Sequence, residues 1–205
     1  MTIRHAERPL LSAKDGLRRL IKGNERFMRG QARFHTVCKE VLADLAKGQR
    51  PYATILGCSD SRVPPELIFD ANFGELFIVR VAGNVISSEV LGSLQYAGAH
   101  LKTALFLVLG HEGCGAVQAA LSYKHHGVKQ RSRIQILVEN ILPGLRESAL
   151  RLPEKDPLVA AVEANVRWSL YQLLETPEGK NALKKGAKFL GAVFEISSGR
   201  VRFLS

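Results

Sequence analysis

Cys58 opens the run Cys58-Ser59-Asp60-Ser61-Arg62, and His111-Glu112-Gly113-Cys114 follows further along the chain. Each run begins where a stretch of apolar, strand-like residues stops, so a sheet could deliver both to the same end. Two thiolates and an imidazole make a borderline-soft donor set suited to Zn²⁺, with the fourth tetrahedral position left to water or a carboxylate. A structural zinc is normally closed by four Cys or His side chains, whereas a catalytic one keeps a place open. The carboxylate best placed to close this site is Asp60, and Arg62 could hold it off the metal through a two-pronged pair. Taken alone, a free cysteine is more often a small buried hydrophobe than a ligand. A His-x-x-Cys and an Asp/Arg dyad at matching strand ends reverse that balance for Cys58 and Cys114. Cys38 has no such company and reads as an ordinary thiol in an amphipathic N-terminal segment.

The elements that must position these side chains are written in the apolar periodicity. Ser12 to Met28 sets Leu17, Leu20, Ile21 and Phe27 at helical spacing among charged residues, and Ser12 with Asp15 fits a capping box. A second helix is expected from about Val37 to Lys47, stopped by Gly48 and Pro51. Tyr52 to Gly57 reads as a buried strand that delivers Cys58, and Pro64-Pro65 can start the helix after it. Leu76 to Val81 is a second strand, Glu89 to Leu101 a helix, and Ala104 to Leu109 a third strand ending at Gly110-His111. Gly113 and Gly115 allow a tight bend into a helix at Ala116 to Ala120. Ser132 to Ser148, bent or ended by Pro143, and Asp156 to Glu175 are further helices, with Lys124 to Ser132 the expected mobile loop. Lys188 to Ile196 and Arg200 to Leu204 pair around a Ser197-Ser198-Gly199 turn. Alternating strands and helices imply an α/β fold with a mainly parallel central sheet flanked by helices, an amphipathic N-terminal helix and a C-terminal strand pair. In such sheets ligands come from the carboxyl ends of strands, beside the crevice where strand order reverses.

The chain has 205 residues, 46% of them hydrophobic, enough for one substantial core without disulfides. No repeat or linker divides it, so a single domain over 1–205 is expected: a helical arm at 1–50, the zinc-site core at 51–121, and helices with closing strands at 122–205. Three cysteines, two of them claimed by a metal, argue for a reducing compartment. The charged N-terminus shows no signal-peptide pattern and no segment is apolar enough to span a membrane, which makes the cytoplasm the default. The formal charge of +10 raises the question of nucleic acid. The cations are spread along the chain without interleaved aromatics, so a solvated basic surface is the better account.

Three stretches together carry a resemblance: Ile55-Leu-Gly-Cys-Ser-Asp-Ser-Arg-Val-Pro-Pro-Glu66, Phe77-Ile-Val-Arg-Val-Ala-Gly-Asn84 and Leu109-Gly-His-Glu-Gly-Cys-Gly-Ala-Val117. In order and separation they closely resemble the β-class carbonic anhydrases, and the resemblance runs from about Leu17 to the Gly191–Leu204 segment. It implies one Zn²⁺ per subunit on Cys58, His111 and Cys114, with Asp60 as a further ligand only in a closed state. It assigns Asp60 a place beside the zinc water, orienting hydroxide toward CO₂ while Arg62 holds the carboxylate. By the same resemblance Gln49, Phe77 and Tyr96 line a substrate pocket across a dimer interface, and Gly115 supplies a backbone position in its wall. Taken singly, Phe77 and Tyr96 would read as core aromatics. A bicarbonate-inhibited subgroup of the family carries a Trp at the position of Ile55, and the only Trp here is Trp168. The plant-like subgroup is therefore the closer match.

The implied activity is reversible hydration of CO₂ to bicarbonate and a proton by zinc-bound hydroxide. Three-imidazole zinc sites bring the pKa of bound water from about 15.7 to about 7. Two thiolates donate more charge, so a pH optimum above neutral is expected. A hydrolase of CS₂ or carbonyl sulfide on the same fold is the nearest alternative, and a non-catalytic zinc or bicarbonate sensor a more distant one. The expected partners are CO₂ or bicarbonate and other copies of the chain, as a dimer or dimer of dimers, with no nucleic acid and no membrane.

Overall fold

The computed structural model describes residues 9–33, 38–146 and 156–204. In chain order they form α1 (Ala13–Met28), α2 (Lys39–Leu45), β1 (Ala53–Gly57), α3 (Pro65–Ile68), β2 (Leu76–Arg80), α4 (Ser88–Ala99), β3 (Leu105–His111), α5 (Gly115–His126), α6 (Ile134–Ile141), α7 (Pro157–Glu175), α8 (Pro177–Lys184), β4 (Lys188–Glu195) and β5 (Arg200–Phe203). Short 3₁₀ turns occupy Ala82–Asn84 and Leu142–Gly144.

The strands make one sheet in the order β2-β1-β3-β4-β5. The first four are parallel and β5 runs antiparallel to β4. The next two strands in sequence flank β1, β2 on one side and β3 on the other. The order therefore reverses at β1/β3, which leaves a crevice beyond their carboxyl ends. Gly57 pairs with Leu109 at that end, so Cys58 and His111 emerge side by side.

β1 and β3 are buried along their whole length, as expected of parallel strands covered on both faces. Leu105 lies beneath Gly16 of α1, whereas Gly110 lies against Val162 and Val166 of α7. Because side chains alternate along a strand, α1 covers one face of the sheet and α7 the other. Ser12 caps α1, its Oγ accepting the Asp15 N–H at 3.1 Å and its hydroxyl donating to the Asp15 carboxylate at 2.7 Å. Ser87, Asp156 and Thr176 cap α4, α7 and α8, their side chains accepting the N–H groups of Val90, Leu158 and Gly179. α1 is tied down by the Asn24 side chain, which donates to Gly199 O at 2.8 Å and accepts from Val201 N at 2.9 Å.

Some expectations needed correction. α8 was not anticipated. α5 continues through His126 to a left-handed cap at Gly127, and Lys124 donates to the Leu145 carbonyl, so the loop expected from Lys124 begins later. The helix expected over Ser132 to Ser148 is α6, ended at Ile141, with Pro143 in the 3₁₀ turn that follows. Its last expected residues, like Val37 in the second helix, lie outside the described residues. Among those described, no helix is long and apolar enough to cross a membrane.

Candidate metal centre

β1 ends one residue before Cys58, β3 ends on His111, and Cys114 is the N-cap residue of α5. Gly113 makes the turn between the last two with a φ of 64°, which a side-chain-bearing residue adopts only at a cost. Cys58, His111 and Cys114 are all buried, and their donor atoms lie within 4.8 Å of one another. One tetrahedral ion with bonds of about 2.3 Å to sulfur and about 2.0 Å to nitrogen can span that group.

The imidazole is oriented for such an ion. His111 Nδ1 faces the Glu112 carbonyl at 2.9 Å, and a carbonyl only accepts, so the ring proton sits on Nδ1. That leaves the Nε2 lone pair aimed inward, where Nε2 is buried with no hydrogen-bond partner among the described residues. An orphaned imidazole nitrogen between two buried sulfurs is what Zn²⁺ would satisfy, and the residues present fit the ion.

Asp60 stands beside this group, its Oδ2 3.8 Å from His111 Nε2. Arg62 grips the carboxylate in two-pronged fashion, Nε to Oδ1 at 2.9 Å and a terminal nitrogen to Oδ2 at 2.7 Å, and its backbone N–H adds a bond to Oδ1 at 3.0 Å. These hydrogen bonds hold the Asp60 carboxyl well below the usual carboxylate range. Arg62 also reaches the Gly113 carbonyl at 3.4 Å, which joins the loop after β1 to the loop after β3.

Two supports went unnoticed in the sequence. Arg80, the last residue of β2, donates to the carbonyls of Cys58 at 2.8 Å and Asp60 at 2.6 Å, and so fixes the backbone of the first ligand loop. Its place at the carboxyl end of β2, beside β1, was an available signal. The Gly83 N–H donates to Cys58 Sγ at 3.3 Å, and the Gly83 carbonyl accepts from Asn165 of α7 at 2.8 Å. Nothing local in the sequence marks Asn165.

The residues expected to line the substrate pocket are dispersed within one chain. Gln49 is exposed in the segment before β1. Phe77 lies on β2 paired with Thr54, four residues short of Cys58, or roughly 13 Å along the strand. Tyr96 of α4 is 47% exposed, with its ring 6.2 Å from Phe77 and 4.9 Å from His100. It lines a cavity of about 800 Å³ between α4 and α8, at the amino ends of β3 and β4 and away from the triad. Among the described residues, no hydrogen bond or ring contact joins Gln49, Phe77 or Tyr96 to the triad. Gly115 follows Cys114 at the start of α5, with open space where a side chain would project.

Comparison with known proteins bears on all of this. A family model described as carbonic anhydrase matches residues 53–201. Carbonic anhydrase 2 of Mycobacterium tuberculosis strain H37Rv is 44% identical over 139 residues, which cover 66% of this chain and 67% of that protein. The carbonic anhydrase of Mycolicibacterium smegmatis is 36% identical over 187 residues, 89% of each. Among solved structures, a tetrameric β-carbonic anhydrase from Sordaria macrospora superposes with a TM-score of 0.71 at 27% identity, over 80% of this chain and 85% of that one.

Proposed function

The chain belongs to the β-class carbonic anhydrases, enzymes that hydrate CO₂ reversibly at a zinc ion, and from that premise we propose how its own residues do so. Cys58 Sγ, Cys114 Sγ and His111 Nε2 hold the metal. When bound, zinc supplies a Lewis acid that lowers the pKa of a coordinated water from about 15.7 toward neutrality. Asp60, ionised and able only to accept, takes a hydrogen bond from the attacking water and so turns an oxygen lone pair toward CO₂. Arg62 holds the carboxylate in that post and would keep it from binding the metal. The observation that carries this reading is the two-pronged Arg62–Asp60 pair set 3.8 Å from His111 Nε2.

CO₂ is small, linear and apolar, so it needs a dry wall and few polar anchors. Gln49, Phe77, Tyr96 and the Gly115 backbone supply them in a pocket completed by a second copy of the chain. Support comes from the separation of Phe77 and Tyr96 from the triad of their own chain, and from the tetrameric assembly of the Sordaria enzyme. Ile55 is wholly buried in β1 where the bicarbonate-inhibited subgroup carries Trp, which favours the plant-like subgroup.

The test is stopped-flow CO₂ hydration by Arg62→Ala and Asp60→Ala, each with its zinc content measured. Both should keep zinc and lose about a hundredfold or more in kcat, the range for a group that positions or exchanges a proton. Wild-type rates in Arg62→Ala would remove the dyad from the mechanism.

A further inference from the structure

Cys58 receives a hydrogen bond whose donor is itself held in place by a helix distant in sequence. The donor is the Gly83 N–H, 3.3 Å from Cys58 Sγ, in the 3₁₀ turn Ala82–Asn84 that follows β2. Gly83 takes a φ of 70°, and a Cβ there would lie 2.9 Å from Ile141 Cδ1 and 3.0 Å from Ala116 Cβ. The turn is thus wedged between α6 and the first residues of α5, just past Cys114. Its other side is braced by α7: Asn165 Nδ2 donates to Gly83 O at 2.8 Å and Ser169 Oγ to Asn84 O at 2.9 Å. Both donors are 1% exposed.

Packing alone does not account for an amide at 165. The Asn165 Oδ1 is buried with no hydrogen-bond partner among the described residues, a destabilising arrangement that Leu, of similar shape, would avoid. What Asn165 does that Leu could not is hold the Gly83 carbonyl. That carbonyl and the N–H aimed at sulfur belong to one residue, so pinning the first limits the rotation that would swing the second away. An N–H···S bond draws charge from a thiolate, which tempers its donation to a metal and fixes its direction.

We propose that Asn165 is a positioning residue for the zinc centre, acting through Gly83 to hold the hydrogen bond on Cys58 Sγ. Ser169 makes an equally buried bond from the same helix to the same turn, but one peptide further from the sulfur, and so separates this role from general bracing. The inference rests on Cys58 being a metal ligand.

The test uses the full-length protein with Co²⁺ in place of Zn²⁺, read by its thiolate-to-cobalt charge-transfer absorption, together with zinc affinity from chelator competition. Asn165→Leu, which keeps the shape and removes the orphaned oxygen, and Asn165→Ala should both shift the band to longer wavelength, because a thiolate freed of its hydrogen bond holds its lone pairs at higher energy. Zinc binding should weaken about tenfold, the lower end of the range for residues that support a ligand. Ser169→Ala should leave both readings at the wild-type value. Unchanged band and affinity in both Asn165 variants, or equal changes in Ser169→Ala, would overturn the proposal. A wild-type protein that takes up cobalt without a thiolate band would instead overturn the ligand assignment beneath it.

Discussion

The Cys114 thiol hydrogen-bonds to the Cys58 sulfur and pulls Cys58 well below the usual thiol range against the effect of burial, with the Gly83 N–H adding to the pull. The same hydrogen bond and its own burial push Cys114 far above the usual thiol range. Burial opposes charge on His111, but the neighbouring Cys58 thiolate outweighs it and raises the imidazole pKa. Zn²⁺ requires both sulfurs ionised and Nε2 free, and Cys114 is the thiol whose ionisation its neighbour and its burial oppose. Zinc uptake should therefore release about one proton or more at pH 7, and affinity should fall about tenfold for each pH unit of acidification per proton displaced. Calorimetry in two buffers of different ionisation enthalpy measures the count. Uptake without proton release would contradict this picture of the thiols. The ligands themselves were legible in the sequence because Cys58 and His111 each end a local apolar run and Cys114 follows His111 within a single turn. Asn165 was not, since its partner Gly83 lies 82 residues away and only the packing of α7 brings them together.

At the scale of elements, the central strands declare themselves because burial on both faces demands unbroken apolar runs. α8 was missed because its sequence Pro-Glu-Gly-Lys-Asn-Ala-Leu-Lys is short and mostly polar, and only Thr176 as N-cap and the Pro after it announce a helix start. The join of α1 to α3 was equally silent. Asp70, just past α3, has a side chain 1% exposed and accepts from Arg26 of α1 and from Arg33, whose backbone N–H lies at 2.8 Å and Nε at 3.0 Å. Burial would raise its carboxyl pKa, but the two arginines prevail and hold it below the usual value. A depressed folded-state pKa gives stability that is present above the unfolded value of about 3.9 and is lost as pH falls through the folded one. Asp70→Asn should therefore cost about 2 kcal/mol at pH 7, as expected for lost hydrogen bonds to charged groups. The gap to wild type should narrow in denaturant titrations at an acid pH below about 3.9, where the unfolded chain takes up the proton that folded Asp70 resists. An equal gap at both pH values would show that the ion pairs contribute nothing.

At the scale of the whole molecule, several features point outward. α2 buries none of its residues and leaves Leu42 52% exposed, and β2 is an edge strand beside the exposed Tyr96. An apolar arm and an open sheet edge next to the Phe77–Tyr96 rings match a surface that a second copy covers. Sedimentation at micromolar concentration should find at least a dimer. Gln49→Ala and Tyr96→Ala should then hydrate CO₂ more slowly with zinc retained, and a monomer of full activity would refute the shared pocket. The resemblance implies this pocket in the sequence, whereas within one chain Phe77 and Tyr96 stand apart from the triad, and the proposed second copy is what would complete it. The functional reading depends on one claim, that Cys58, His111 and Cys114 hold the zinc at which CO₂ is hydrated. The most direct measurement is stopped-flow CO₂ hydration by protein stripped with a chelator and reloaded with measured amounts of zinc, beside Cys58→Ser. The rate should rise in proportion to zinc, level off at one ion per chain, and stay near the buffer rate in Cys58→Ser, which should retain little metal after dialysis. A stripped protein as fast as the loaded one, or a Cys58→Ser variant with full zinc and full rate, would contradict the claim.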